Sequence, residues 1–258
     1  MNSPDNAKYI DLKKQNISKK SIFVKIVCMN KKDRQLAASI YMILATLFIT
    51  SLVVSNLIFQ KFFFWNPFGL FQFEISVGIL PYPITFLITD IVSEIYGKKK
   101  ANQVVITGIF ASFFSVLIVL IANYTPATEW SPIDNSLFTK VFGLSSVAVM
   151  ASMMAYLFAQ FIDIRIFHLL KTKTKGKHLW LRNNFSTFSS QFIDTFTVVL
   201  LLTLFDVLSW EVFGSLILSG FLFKVIVAML DTPLLYLAVY FFRKRFNLGV
   251  GEEIKEIL

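Results

Sequence analysis

Apolar residues along the chain gather into six long stretches, at about Leu36–Phe59, Phe73–Ile95, Ala101–Ala122, Val141–Phe167, Phe185–Phe205 and Val212–Phe242. Each reaches the roughly 20 residues a helix needs to cross a hydrocarbon core about 30 Å thick. The pattern predicts an all-α, polytopic membrane protein of six transmembrane helices.

Two of these stretches are interrupted. The second carries Glu74, Gly78, Pro81 and Pro83 in its first half and Asp90 and Glu94 in its second. Two prolines so close remove backbone donors and disfavour helix for the residues before them, which predicts a broken helix at Ile79–Pro83. Lipid cannot satisfy the freed backbone groups, so the break must face protein or a wet cavity, a recurring device near transporter binding sites. The sixth stretch holds Lys224, Asp231 and Pro233, and a second break is expected at Pro233.

The fourth and fifth stretches carry polar stripes. Ser145, Ser152, Tyr156, Gln160 and Asp163 recur near one helical face, as do Asn183, Thr187, Ser190, Asp194 and Thr197, with Gln191 alongside. Hydroxyls can serve as glue between helices. Carboxylates are costlier: a charge near the bilayer centre costs at least about 2.5–3.5 kcal/mol, so intramembrane ionisable groups point to function. They are Asp90, Glu94, Asp163, Asp194, Lys224 and Asp231. Glu94 and Asp163 also admit interfacial ion pairs, with Lys98–Lys100 and Arg165 as neighbours. Lys224, toward the outer face, is expected to snorkel or to pair with Asp231 seven residues on. The tetrapeptide Gln-Phe-Ile-Asp occurs twice, at Gln160–Asp163 and Gln191–Asp194, too short to establish a duplication.

Charge sets the orientation. With the N-terminus inside, 22 of the 25 Lys and Arg fall in or beside cytoplasmic segments, against Lys61 and Lys140 outside and Lys224 within a span. The positive-inside rule places both termini in the cytoplasm. The organisation expected is a basic tail at 1–35, a transporter domain at 36–242 and a short tail at 243–258. The first 35 residues are too long and polar for a cleavable signal. Within them Ser21–Met29 reads as a tail that helps set orientation or as a short amphipathic segment on the membrane surface.

The net charge of +9 sits in short loops beside the spans, so topology and anionic lipid explain it better than nucleic acid does. A single cysteine, Cys28, excludes an internal disulfide and a thiolate metal cluster. No metalloprotease helix, nucleophile elbow or phosphate loop is present, which argues against an enzyme, a cofactor or ATP hydrolysis by this chain. His168 and His178 lie in or beside the basic loop. Carboxylates, amides and aromatic rings together suit a flat, hydrogen-bonding solute: a carboxylate accepts two donors of a guanine-like edge, an amide meets its carbonyl and a ring stacks on its face.

Several segments go further. Ser55-Asn56 with Lys61, Tyr82-Pro83-Ile84-Thr85-Phe86, Asp90 through Lys99, Gln160–Asp163, Trp180 through Asn184, Ser186-Thr187, Ser190-Gln191, Asp194-Thr195, Lys224, and Thr232-Pro233 with Tyr236 are together similar to the bacterial queuosine-precursor transporter family, also called the vitamin uptake transporter family. The resemblance runs from about Asn56 to Tyr240. It implies import across the bacterial inner membrane of a 7-deazaguanine (the 7-cyano or 7-aminomethyl form, or queuine) for tRNA modification. The binding residues expected are Asn56, Tyr82, Asp90, Glu94, Gln160, Asp163, Asn183, Ser190, Gln191 and Asp194, with Lys224 and Asp231 for coupling or gating. A membrane subunit served by a separate ATPase, and a scaffold that transports nothing, stay open beside it, as does pairing of two protomers.

Overall fold

The computed structural model describes residues 30–254 apart from 60, 67, 68, 70, 71, 144, 145, 206 and 207. The tail segment Ser21–Met29, Cys28, Ser145 and the side chains of Glu74 and Ser152 lie outside the described residues.

Six long helices carry the chain back and forth: α1 (Lys31–Ile58), α2 (Tyr82–Ile95), α3 (Gly97–Tyr124), α4 (Ser146–Lys173), α5 (Leu179–Leu204) and α6 (Trp210–Phe246). All six, with α2 extended back to Val77, are long and apolar enough to cross a membrane. α1 starts where the Asn30 side chain accepts the Asp33 N–H at 2.7 Å, within the stretch expected to be tail. Lys98, Lys99, Lys100, Lys171, Lys173 and Arg243 through Arg245 all fall at the end where α1 begins and α2, α4 and α6 finish, here called the basic end.

The interruption at Pro81 and Pro83 is present, in a form the apolar pattern did not suggest. Residues 73–76 are a strand, not helix. β1 (Phe62–Trp65) and β2 (Phe73–Ser76) form an antiparallel hairpin with Phe63 opposite Ile75 and Trp65 opposite Phe73. A 3-10 turn, Val77–Ile79, then leads into α2. Pro83 falls in the first helical turn, where its missing N–H is harmless. The prolines that forbid a helix interior therefore begin one. At 14 residues α2 is only about 21 Å long, and the hairpin and turn complete the crossing.

The expected break at Pro233 is not formed, and α6 runs through it without interruption. One ladder donor is lost there. The neighbouring Thr232 hydroxyl, 3.1 Å from the Ala228 carbonyl, stays within the helix's own bonding.

α2 is the buried centre of the bundle, touching α1, α3, α4 and α6. Residues 88–96 are all buried. Around it the usual soluble pattern is inverted. Phe110, Phe114, Phe158 and Leu230 point outward to the bilayer, while Thr85, Thr89, Gln160, Ser186 and Ser190 are fully enclosed. In lipid there is no water to reward a polar surface, so polar groups turn inward to one another.

The basic end is closed by the chain beyond α6. Asn247 takes a left-handed turn, the strap doubles back, and the Ile254 N–H donates to the Ile95 carbonyl at 2.7 Å. Gly97 sits at φ +82°, and a Cβ there would stand 2.3 Å from Glu253 Oε2. Only glycine fits this corner.

At the other end Gly78 packs against the α1 terminus. A Cβ there would sit 2.6 Å from the Ser55 carbonyl oxygen and 2.9 Å from Phe59 Cα, both backbone atoms that cannot swing aside. Gly78→Val is expected to destabilise the protein by about 1–3 kcal/mol. The check is the melting temperature of the purified protein in detergent, which should fall; an unchanged value would contradict the close approach.

Candidate functional site

Where α2 begins, three elements meet on one carboxylate. Tyr82, the first residue of α2, donates its hydroxyl to Asp194 Oδ2 of α5. Lys224 of α6 reaches the same oxygen at 2.5 Å and lies 4.6 Å from the centre of the Tyr82 ring. Asp194 is 2% exposed, so this is a buried charge held by a matched cation and a phenol. Lys224 neither snorkels nor pairs with Asp231. It crosses to the neighbouring helix, and among the described residues Asp231 makes no salt bridge. The sevenfold spacing puts Lys224 and Asp231 on one face but two turns apart, and a carboxylate on α5 is nearer.

A small cavity of about 20 Å³ opens beside this link, between α2, α5 and α6. Tyr82, Phe86 and Phe223 supply its rings, and Thr187, Gln191, Lys224 and Asp231 its polar wall. Gln191 Oε1 and Thr187 Oγ1 are buried without a hydrogen-bond partner, an expensive state unless a ligand or water completes it. The hairpin packs beside the cavity, on Phe223 of its lining. Trp65 and Phe73 pack on Phe223 with ring centres 5.2 and 6.4 Å apart. At that volume it holds about one water molecule, and a heterocycle enters only if α2, α5 and α6 part.

Behind the cavity α2 and α4 are joined by a hydroxyl and amide network. Tyr156 donates to Thr85 Oγ1 at 2.6 Å, and Gln160 Nε2 donates to the Tyr156 hydroxyl at 2.9 Å. The Tyr156 and Tyr82 rings lie 5.0 Å apart. Gln160 therefore braces the wall and does not line it. One turn further in, Ser190 donates to Asp163 Oδ1 at 3.1 Å, and the Asp163 and Asp90 carboxyls meet in hydrogen-bond contact. Asn183 Nδ2 donates to Thr232 Oγ1 at 3.4 Å, between α5 and α6.

The expected residues thus divide by place. Tyr82, Gln191, Lys224 and Asp231 line one cavity, with Asp194 directly behind Tyr82 and Lys224. Asn56 lies apart, in a second, mainly apolar cavity between α1 and α3. Glu94 belongs to a separate cluster at the basic end.

An ion pair at Glu94 was expected from the sequence, but not these partners. Glu94, 1% exposed, holds Arg243 at 2.7 Å, Arg182 at 3.0 Å and Lys171 at 3.3 Å. Lys171 also binds Glu253 of the strap at 2.9 Å. The neighbours Lys98 and Lys99, expected as partners, point to solvent. Arg182, counted as a loop charge, is wholly enclosed against the Phe167 ring. Its spacing of four from Ser186 and eight from Ser190 was the available signal that it belongs to the buried face.

Six membrane-length helices closed around buried polar groups make this a multi-pass membrane protein. Residues 76–238 match the family described as "Putative vitamin uptake transporter", and the chain belongs to that family. It is 28% identical over 174 residues to a Bacillus subtilis protein named "Probable queuosine precursor transporter", covering 66% of this chain and 73% of the relative. It is 24% identical over 173 residues to the Escherichia coli "Queuosine precursor transporter", covering 63% and 72%. No solved structure matches.

Removing one partner of a buried ion pair costs about 3–5 kcal/mol, because the other charge is stranded. Glu94→Gln leaves Arg182 so stranded and is expected to lower the melting temperature more than Asn56→Ala does. Equal melting of the two variants would show that the cluster contributes no net stability.

Proposed function

We propose that the chain imports a queuosine precursor, a 7-deazaguanine base, across the bacterial inner membrane, with its basic end in the cytoplasm. The names of the two relatives support the solute class. The observation that carries the reading is the cavity with two unmatched buried acceptors, Gln191 Oε1 and Thr187 Oγ1, beside the Asp231 carboxylate and facing aromatic rings. A flat base with a ring N–H and an exocyclic amine offers the donors that Gln191 and Asp231 lack. Lys224 stands where a ring carbonyl would need a donor, and Tyr82, Phe86 or Phe223 would stack on the face.

Asp194 acts one step back, as the group that positions Tyr82 and Lys224. The Tyr82–Asp194–Lys224 link ties α2, α5 and α6 together on the cavity's wall. A bound base that draws Lys224 to its carbonyl weakens that link, which gives the solute differential affinity for two arrangements of the same helices. The basic loops and the strap lie on the release side in this orientation.

The test is rescue of tRNA queuosine in a bacterium that lacks both precursor synthesis and its own importer. The 7-cyano base, the 7-aminomethyl base and queuine are each supplied at nanomolar concentration. Rescue by at least one is expected, and Asp194→Ala is expected to abolish it while remaining in the membrane. No rescue by any base would overturn the solute assignment, and rescue only when a host ATPase is present would assign the chain to an ATP-driven system. Asp231→Asn replaces a charged acceptor by a neutral one and is expected to cost about 1.5–3 kcal/mol, a ten- to hundredfold higher half-saturating concentration.

A further inference from the structure

Asp90 and Asp163 stand outside the cavity wall, 3% and 0% exposed, with their carboxyl groups in hydrogen-bond contact between α2 and α4. An ionised carboxylate has no hydrogen to give, so two in contact need a proton or a cation between them. Among the described residues no cation forms a salt bridge with either carboxyl. From α5 Arg182 approaches, with Nη2 on Glu94 at 3.0 Å and with Nε and Nη1 buried without a hydrogen-bond partner. From α6 comes Asp231, a further acid. Tyr82, Tyr156 and Asp194 lie beyond, and Lys224 is held by Asp194. Lys171 and Arg243 are held by Glu94. Asp163 Oδ1 accepts from Ser190 at 3.1 Å, and Ser186 and Thr187 lie beside the carboxyl, while Asp90 Oδ1 and Asp163 Oδ2 are buried without a hydrogen-bond donor.

A second observation connects the pair to the transport path. Thr187 touches Asp163 and also lines the cavity, where its oxygen is buried and unpartnered. Its hydroxyl is a single-residue bridge from the cavity to the carboxyls. We propose that Asp90 and Asp163 share one exchangeable proton, taken up through the cavity and released at the basic end, which drives solute uptake. This rests on the import reading of the cavity for its transport arm alone.

The coupling is mechanical as well as electrostatic. With the proton present the two carboxyls join α2 to α4. Once it leaves, two anions face each other in a site without water, and like charges in contact force the helices apart. α2 carries Tyr82 at its other end, so the same movement pulls on the link to Asp194 and Lys224. Proton release and cavity opening then share one rigid element.

Infrared difference spectroscopy of the purified protein tests the proton without any solute. A protonated-carboxyl carbonyl band, shifted in heavy water, is expected at neutral pH and should disappear in both Asp163→Asn and Asp90→Asn. No such band in the unsubstituted protein, or a band that survives both substitutions, would overturn the shared proton, and the unsubstituted spectrum keeps the test valid if a variant fails to fold. The second arm is uptake of labelled 7-aminomethyl-7-deazaguanine into proteoliposomes. One proton per solute sustains up to about tenfold accumulation for a one-unit pH gradient, acid outside, and a protonophore should abolish it. Accumulation driven by a sodium gradient would overturn the proton in favour of a metal cation between the carboxyls. The carboxyl band together with no uptake under any gradient would retain the shared proton and overturn its coupling to this solute.

Discussion

Lipid offers no hydrogen-bond partner, and that constraint organises α2. This short helix carries Tyr82, Thr85, Thr89, Asp90, Ser93 and Glu94, more polar groups than any membrane can solvate. All but the Ser93 hydroxyl are answered from another helix, and the answers hold the bundle together. Asp194 and Lys224 meet Tyr82, Tyr156 and Gln160 meet Thr85 and Thr89, Asp163 meets Asp90, and Lys171, Arg182 and Arg243 meet Glu94. α2 is thus fixed at successive turns to α4, α5 and α6. The apolar exterior of those helices follows, because their polar faces are already committed to α2.

Such a helix is strongly placed yet finely balanced. A buried ion pair repays its desolvation only if the geometry is good, and the Glu94 cluster sets three cations against Glu94 and Glu253. The strap supplies the second carboxylate. Moving Glu253 away leaves Glu94 alone with the three cations, so the basic end can loosen by displacement of a short segment, with no membrane helix unfolding. The hairpin plays the corresponding part at the opposite end, where Trp65 and Phe73 pack on Phe223 beside the cavity.

Much of this was legible along the chain, and the reason for the rest is geometric. Apolar length gave the six crossings, and the stripe from Asn183 to Asp194 gave the buried face of α5. The prolines marked the break at residues 79–83. What filled it was not legible, because Phe62–Trp65 is as apolar as any lipid-facing run and its pairing with β2 is set by the docking of Trp65 on Phe223. Partners were misjudged wherever nearness in sequence stood in for nearness in space. Lys224 was matched to Asp231 along one helix, yet it meets Asp194 across two. Glu94 was matched to Lys98–Lys100, yet its cations come from α4, α5 and α6. Periodicity shows which side of a helix turns inward, and only the packing of helices decides what it meets there.

The division of acids along the bundle has a consequence for transport. Asp194 and Glu94 each have cations at hand, so both can stay charged while enclosed. Among the described residues Asp90 and Asp163 face each other without a salt bridge, and Asp231 faces the cavity without one. Helices that carry a fixed ion pair gain little from a change in proton or solute. Helices joined through an unmatched acid respond to both, since the missing partner is what each supplies. The unmatched acids lie where α2 meets α4 and at the cavity wall, so the groups that most need a proton or a base adjoin the element whose movement would admit one.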